Sequence, residues 1–150
     1  MKKLAFILLF TGYFLGVSNA QQDNNWYFGR NAALNFNSIA GHPVPSVLTN
    51  SAMQADEAAA SISDEDGKLL FYTNGSTVYN KNHQVMLNGD NLDGQKSAVQ
   101  IAIVPMPGNN SLFYIFTTDA IETLFASGYR YSIVDMAGDN GKGSVTTKNS

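Results

Sequence analysis

The chain has 150 residues, of which 14% are charged, with a formal net charge of −3 and no cysteine. Because it is acidic and lacks a cluster of lysine or arginine, it is a poor candidate for binding nucleic acid or an anionic membrane surface. The lack of cysteine excludes disulfides and thiolate catalysis. Stability must therefore come from packing, to which a bound cation could add.

The first twenty residues have the pattern of a secretory signal peptide. Lys2 and Lys3 supply a positive start, residues 4–17 are almost wholly apolar, and Ser18 and Ala20 place small residues before a cut after position 20. The apolar run is shorter than the ~18 residues of a transmembrane helix. We expect an exported protein, extracellular or on the outer cell surface, with a mature formal charge of −5 and no transmembrane segment.

Short aromatic or alternating runs, separated by turn residues, follow the leader. Residues 26–29 and 33–36 predict two short strands, and Pro43 and Pro45 then predict a loop. The stretch MQADEAAAS, residues 53–61, has a helix-like composition and predicts at most one turn of helix.

A meander of strands is predicted from position 59 onward. Residues 59–63, 69–73 and 76–80 are separated by an acidic turn that Gly67 closes and by Asn74-Gly75. Asn-Gly between apolar runs predicts a type I′ hairpin turn, because both residues tolerate positive φ. The acidic turn suits a longer hairpin with a left-handed residue.

A second group of strands follows, with connections rich in Gly, Pro and Asn. Its predicted members are residues 98–104, 112–117, 129–136 and 144–147. Strands at this spacing, with turn residues between them, indicate an all-β protein.

Two features favour a β-propeller over a small β-sandwich, which stays the alternative. Neighbouring residues of one strand, such as Phe71 and Tyr72, are apolar on both faces, which indicates sheets covered on both sides. The Phe-Tyr pair recurs at Phe113-Tyr114, 42 positions later, close to the ~40–45-residue period of propeller blades. We therefore predict antiparallel meanders that form blades of a partial propeller, with sheets at about 58–80 and 98–148.

Several longer motifs carry a resemblance to a known family: SISDEDGKLLFYTNGSTVYNKNHQVMLNG, AIVPMPGNNSLFYIFTTD, YRYSIVDM and GKGSVTTKN. As a set they resemble the N-terminal β-propeller-like region of large secreted bacterial proteins, which carry PKD-like modules and a type B sorting domain for type IX secretion. The resemblance extends from Trp26 to about Asn149. The chain departs from the pattern at Ala58 and Leu87, where the family has glycine and proline.

The family pattern continues beyond residue 149, so we expect this chain to be an N-terminal piece of a longer protein or a truncated gene product. The expected organisation is a signal peptide at 1–20, N-terminal strands and a loop at 21–57, and incomplete propeller blades at 58–150. Because two blades do not close a ring, exposed sheet edges are expected, and the rest of the longer chain is an expected partner.

His83 is the first candidate site residue. Asp90 and Asp93 follow it, but the sequence has no nucleophile motif and no second histidine at metal-ligand spacing, and His42 precedes a proline. We interpret His83 as a residue that orders its loop through a backbone contact, and as a possible ligand-surface residue. A catalytic role is the less favoured alternative.

The stretch LNGDNLDGQKS, residues 87–97, is rich in side-chain oxygen. Asn88, Asp90 and Asp93 are weak candidates for Ca²⁺, which takes several oxygen ligands from a flexible loop. The spacing does not match an EF-hand, and Asn-Gly and Asp-Gly turns alone explain the composition. No other cofactor is indicated.

Three further residues are candidates for a ligand surface. Trp26 and Tyr79 stand near predicted loop edges, where an aromatic face can stack on a ligand. Glu57 belongs to the resembling pattern and suits a ligand or a hydrogen-bond acceptor between blades. Glu57 and Asp56 are adjacent on an extended chain, so they cannot easily act together as a general acid and base.

No residue of the chain carries a catalytic signature, and we therefore expect an exported, non-catalytic binding or surface-display module. Its ligand would be an extracellular glycan or a protein. The alternative is part of a propeller-fold, glycan-active enzyme whose catalytic residues lie beyond residue 150.

Overall fold

The computed structural model describes residues 21–37, 41, 44–95, 97–98 and 100–150 of an all-β protein. The predicted all-β class with antiparallel pairing is confirmed. Residues 1–20, where a signal peptide is predicted, and His42 and Pro43 of the predicted loop lie outside the described residues.

Ten strands of the described chain form three antiparallel sheets, which follow one another along the sequence. The first sheet contains β1 (Asn25–Phe28), β2 (Ala32–Asn35) and β3 (Ser46–Leu48). The second contains β4 (Ala60–Ser63), β5 (Leu69–Thr73) and β6 (Val78–Asn80). The third contains β7 (Ile101–Pro105), β8 (Leu112–Thr118), β9 (Tyr129–Asp135) and β10 (Ser144–Thr147).

Each sheet is a simple meander in which consecutive strands pair. A 3₁₀ turn at Ile121–Thr123 lies between β8 and β9, and a single helical turn at Gly138–Gly141 lies between β9 and β10. Asp139 and Asn140 have left-handed φ in that turn, at 44° and 55°. The two predicted sheets, at about 58–80 and 98–148, correspond to the second and third sheets.

Residues 53–61, for which the sequence allows at most one turn of helix, contain no helical turn. Met53 and Ala55 are buried, and Gln54 between them forms an isolated β-bridge with Arg30. The backbone amide of Ala55 donates to the carbonyl of Gly29 at 2.9 Å. The segment is extended because its alternate side chains enter the core, which overrides its helix-like composition.

The predicted Asn74-Gly75 hairpin exists, but its loop has four residues instead of two. Thr73 pairs with Val78, and the Asn74 side-chain oxygen accepts hydrogen bonds from the backbone amides of Ser76 (3.1 Å) and Thr77 (2.9 Å). Gly75 has φ +86°, as expected, but Asn74 does not have a positive φ, so the predicted type I′ turn is wrong. The Asn74 side chain closes the turn and shortens β6 at its start.

The middle sheet is buried on both faces, as its sequence predicts. Phe71 on one face packs against the third sheet, with its ring 5.6 Å from that of Phe113 and nearly perpendicular to it. Tyr72 on the other face packs against the first sheet, with its ring stacked 4.3 Å from that of Tyr27. Both Phe71 and Tyr72 are completely buried, so the protein is a three-layer stack with the second sheet in the centre.

The first strands of the three sheets make the closest contacts between sheets. β1 contacts β4, and β4 contacts β7. The hydroxyl of Ser61 on β4 accepts from the amide of Tyr27 at 3.2 Å and donates to the carbonyl of Asn25 at 2.7 Å. The hydroxyl thus satisfies backbone groups on the free edge of β1 and ties the first sheet to the second.

The third sheet is covered on one face only within the described structure. Phe113, Ile115 and Val134 are buried against the second sheet. Tyr114 and Phe116 lie on the opposite face of β8 and are partly exposed. The prediction that β8 is covered on both sides is therefore wrong for the described chain.

Replacement of Phe71 by alanine tests the central role of the middle sheet. We expect the free energy of unfolding to fall by about 3–5 kcal/mol, because the change removes a buried ring from the junction of two sheets. Val47, which is 76% exposed on β3, is the matched control, and Val47→Ala should alter stability by less than ~0.5 kcal/mol. Urea denaturation measures both, and equal effects of the two substitutions would contradict the layered core.

Candidate functional site

Three tyrosines form a stacked column between the first and second sheets. Tyr27 on β1 lies against Tyr72 on β5, and Tyr72 lies against Tyr79 on β6, with ring centres 4.3 Å and 5.2 Å apart. Burial raises the pKa of the Tyr27 and Tyr72 hydroxyls above the ordinary tyrosine value. Tyr27 and Tyr72 are therefore neutral phenols at physiological pH, and packing is the main role of the column.

His83 lies beside this column and joins it through both ring nitrogens. Its Nε2 is 2.8 Å from Nδ2 of Asn50, and its Nδ1 is 3.3 Å from the Tyr72 hydroxyl. The same hydroxyl accepts from the backbone amide of Ala52 at 3.1 Å, and the Tyr27 hydroxyl donates to Oδ1 of Asn50 at 3.2 Å. The network connects the end of the first sheet to the loop after β6.

The electrostatics of His83 suit a neutral imidazole. Burial lowers its pKa below the ordinary value of 6.5. When the Asn50 amide donates to Nε2, the ring proton lies on Nδ1, where it faces Tyr72. Protonation would place a second N–H against an amide donor, so the arrangement favours the uncharged ring.

The loop-ordering role predicted for His83 matches its geometry, although its partners are side chains and not the predicted backbone group. The residue itself has a positive φ of 60° in the loop after β6, and its backbone amide donates to the Asn80 carbonyl at 2.9 Å. Tyr79 is part of the same cluster, with one ring face on Tyr72. Both residues have side-chain partners in this cluster and part of their surface open to solvent, and a ligand contact through that surface stays a prediction.

Trp26 lies on the opposite face of β1, in an apolar cleft. The cleft has a volume of about 420 Å³ and is lined by Trp26, Tyr27, Phe28, Leu34 and residues 59–61. The Trp26 ring is 51% exposed and lies 4.8 Å from the ring of Phe36. An open tryptophan and Phe28 beside it, which is 41% exposed, provide aromatic surface of the size that small ligands occupy.

Glu57 is exposed and stands apart from both groups. Its neighbour Asp56 binds Arg30, with Oδ1 2.7 Å from Nη2. The structure therefore brings Tyr79 and His83 together, places Trp26 behind β1, and leaves Glu57 on the segment between the first two sheets.

The calcium candidates lie in a loop that is tied to the C-terminal segment. Nδ2 of Asn88 donates to the carbonyl of Val145 at 2.8 Å, and Oδ1 of Asp90 lies 3.2 Å from the ammonium of Lys148. That bond lowers the pKa of Asp90. At Asp93 the backbone amide donates to the Asn149 side chain at 2.9 Å, so the loop is held to the C-terminal segment at three points, and of these bonds only the one at Asp90 uses a carboxylate.

Within the described ranges, no group of three or more His, Asp or Glu side chains is arranged to hold a metal ion. Calcium binding stays a prediction. In the same ranges, no helix has the length and apolar character needed to span a membrane.

A buried carboxylate, Asp119, is a residue that the sequence analysis missed. It is 1% exposed, and its oxygens accept from the Gln95 side chain (2.9 Å) and the amides of Ala120 and Ser127 (both 2.8 Å). The amide of Ser127 makes the largest contribution to lowering its pKa. The sequence feature that could have identified Asp119 is its position directly after β8, because an aspartate at the start of a turn often accepts hydrogen bonds from the backbone amides of that turn. Its bonds to Ala120 and Ser127 hold the loop 119–128, and its bond to Gln95 ties that loop to the segment between β6 and β7.

A second cavity, of about 430 Å³, opens between the acidic turn and the turn after β7. Its lining includes Asp64, Glu65, Leu70, Phe113 and Met136. Asp64 is occupied by its own turn, because its Oδ1 accepts from the amides of Asp66 (3.0 Å) and Lys68 (2.9 Å). The floor of the cavity is apolar, and at its polar rim Asp64 stabilises the acidic turn.

Comparison of the sequence and the structure with family models, curated proteins and solved structures finds no match.

The low pKa of His83 predicts a pH dependence of stability. Because the unfolded chain binds the proton more readily, the free energy of unfolding should fall as the pH drops from ~6.5 through the lower pKa of the folded state. Urea denaturation at about pH 7.5 and about pH 5.5 measures the difference.

His83→Asn is the informative variant, since asparagine tolerates positive φ. It should be less stable than the wild type at pH 7.5 but lose less stability on acidification. Gln84→Asn, at an exposed residue of the same loop that cannot titrate, is the control, and it should keep the wild-type pH dependence. An unchanged pH dependence in His83→Asn would contradict the proposed environment of the imidazole.

Proposed function

We propose that this protein is an exported, non-catalytic binding or surface-display module whose ligand contacts the Trp26 cleft. The observation that carries this proposal is the exposed aromatic wall of that cleft, formed by Trp26 and Phe28. Buried aromatic residues of the tyrosine column already have partners, whereas these two rings present free surface.

We infer that the three sheets are blades of a partial propeller, and three observations support this inference. The sheets follow one another in chain order, each begins with the strand nearest to its neighbours, and the middle sheet is buried on both faces. Blades of a propeller have these properties, because each blade packs between two others around a central line of first strands. A sandwich of two sheets would leave one face of every sheet exposed to solvent.

The ligand is proposed to be an extracellular glycan or protein. The cleft is apolar apart from the Ser61 hydroxyl, which is engaged by the backbone of β1. It therefore suits the apolar face of a sugar ring or an apolar side chain, and it has no charge that would select an ion. The remaining blades would come from the rest of a longer chain, which is the other proposed partner.

Replacement of Trp26 tests the binding function. The purified protein is applied to arrays of extracellular glycans and peptides, and the affinity of each hit is measured by titration calorimetry. Trp26→Ala should weaken binding at least tenfold, since aromatic anchors dominate such contacts. The fold should survive, because half of the ring is exposed.

Val47→Ala is the control, because Val47 is exposed on the same sheet and lies outside the cleft lining. It should bind as the wild type does. Binding that Trp26→Ala leaves unchanged would refute the cleft as the contact surface. If the protein cleaves a glycan and a single Asp or Glu substitution abolishes that activity, the binding-module hypothesis is wrong and the enzyme alternative is favoured.

A further inference from the structure

Three Asn-Gly pairs occur in the chain, at residues 74–75, 88–89 and 140–141. Asparagine before glycine is the pair most prone to deamidation, because glycine has no side chain to obstruct the backbone nitrogen that attacks the asparagine side chain. Each pair lies in a connection between two strands. The three pairs differ in how firmly the structure holds the two reacting groups.

The first pair is held at both reacting groups. Nδ2 of Asn74 donates to the carbonyl of Gln54 at 2.8 Å, and its Oδ1 accepts from backbone amides of the same loop. The backbone amide of Gly75 donates to Oγ1 of Thr73 at 3.0 Å. Asn74 is 4% exposed, and a Cβ at Gly75 would lie 3.0 Å from the carbonyl oxygen of Gln95. The Asn74 side chain therefore has no room to fold onto the following backbone.

The second pair is tied to other segments, although Asn88 itself is exposed. Its Nδ2 donates to the carbonyl of Val145 at 2.8 Å, and the backbone amide of Gly89 donates to the carbonyl of Met86 at 2.8 Å. Gly89 is buried, and its carbonyl accepts from the amide of Val78 at 2.6 Å. Deamidation of Asn88 would therefore require the loop to separate from both β6 and the C-terminal segment.

The third pair is open to solvent. Asn140 is exposed. The side-chain hydrogen bond of its turn joins Nζ of Lys142 to Oδ2 of Asp139 at 3.3 Å, which leaves the Asn140 amide without a partner among the described residues. A Cβ at Gly141 would meet no atom of the described chain within 4 Å. The surroundings therefore leave space for a ring between Asn140 and Gly141.

The backbone around Asn140 can change conformation at low cost. Attack requires the peptide after Asn140 to rotate toward the asparagine side chain, and Asn140 starts from φ 55° and ψ 40°. The residue belongs to a single helical turn, Gly138–Gly141, which has little stability of its own because helix nucleation is unfavourable. The backbone bond that closes the turn is local, from the amide of Gly143 to the carbonyl of Gly138 at 3.0 Å. Opening of this turn therefore costs less free energy than release of either other pair.

We propose that Asn140 is a site of spontaneous deamidation in the folded protein, and that the fold protects Asn74 and Asn88. The backbone nitrogen of Gly141 loses its proton to a solvent base and forms a bond to Cγ of Asn140. The bond from Cγ to Nδ2 breaks, and Nδ2 takes a proton from solvent and leaves as ammonia. Water then opens the resulting succinimide at either of its carbonyls, which gives aspartate or isoaspartate at position 140.

The reaction changes both the charge and the backbone of the turn. Either product adds a carboxylate next to Asp139, which already pairs with Lys142. Isoaspartate also adds one atom to the backbone inside the loop that the bond between Gly143 and Gly138 closes. The modified protein is therefore more acidic than the unmodified protein, and ion-exchange chromatography can separate the two forms.

Incubation of the purified protein in mildly alkaline buffer, with and without guanidinium chloride, tests the proposal. Peptide mapping by mass spectrometry follows the conversion of each Asn-Gly pair, and an isoaspartyl methyltransferase labels the isoaspartate. In the denaturant, the three pairs should react at rates within about threefold of one another, because no fold protects them. In the native protein, Asn140 should react at least ~tenfold faster than Asn74 and Asn88. A smaller native difference would overturn the proposal, as would a native Asn140 that stays unconverted while the denatured one reacts.

Asn140→Gln tests the same proposal by a separate readout. Glutamine reacts far more slowly because its side chain has to form a larger ring, so the acidic form that accumulates in the native wild type should be absent from this variant. Asn110→Gln, at an exposed asparagine that precedes serine, is the matched control and should accumulate the acidic form as the wild type does. An acidic form that persists in Asn140→Gln, or that disappears in Asn110→Gln, would overturn the assignment to Asn140.

Discussion

The burial of both faces of the middle sheet is the constraint on which the rest of the structure depends. Phe71 and Tyr72 are neighbours on β5 and point to opposite sides, and both are completely buried. One sheet can cover only one of these faces, so the chain must supply a sheet before it and a sheet after it. The order of the three layers follows from that requirement. The first strands of the three sheets, β1, β4 and β7, therefore lie next to one another in this order.

The aromatic residues of this chain serve two different purposes. The buried tyrosines of the column have hydrogen-bonded hydroxyls, and the exposed aromatic residues present ring surface to solvent. Tyr27 and Tyr72 bury their rings, and their hydroxyls meet Asn50, Ala52 and His83. Their hydroxyl groups therefore have hydrogen-bond partners, which lowers the free-energy cost of burying them. Trp26 and Tyr129 lie at the two ends of the layer stack, where no further sheet of the described chain covers them. Free aromatic surface is therefore concentrated at the ends of the stack.

Most strands could be predicted from short sequence patterns. The features that could not be predicted depend on contacts between sheets. Turn residues and apolar runs located β4, β5 and β8, because those signals act within a few residues. They missed β3, which has three residues and directly follows Pro45. His83 could be identified as a loop residue, but its partners come from two other segments that only the fold brings close. The open face of β8 was also unpredictable, since coverage depends on the number of sheets and not on the pattern of one strand.

The bonds between the loop after β6 and the C-terminal segment have a consequence for the order of folding. Asn88, Asp90 and Asp93 bond to residues 56 to 58 positions later in the chain. Closing so long a segment costs considerable chain entropy, which is recovered only when the intervening strands are already paired. These long-range bonds therefore form late, after β7 to β10 have formed their meander, whereas local backbone bonds such as that from Leu92 to the carbonyl of Ser76 can hold the loop earlier. During biosynthesis the long-range bonds cannot form until residues 145–149 have left the ribosome.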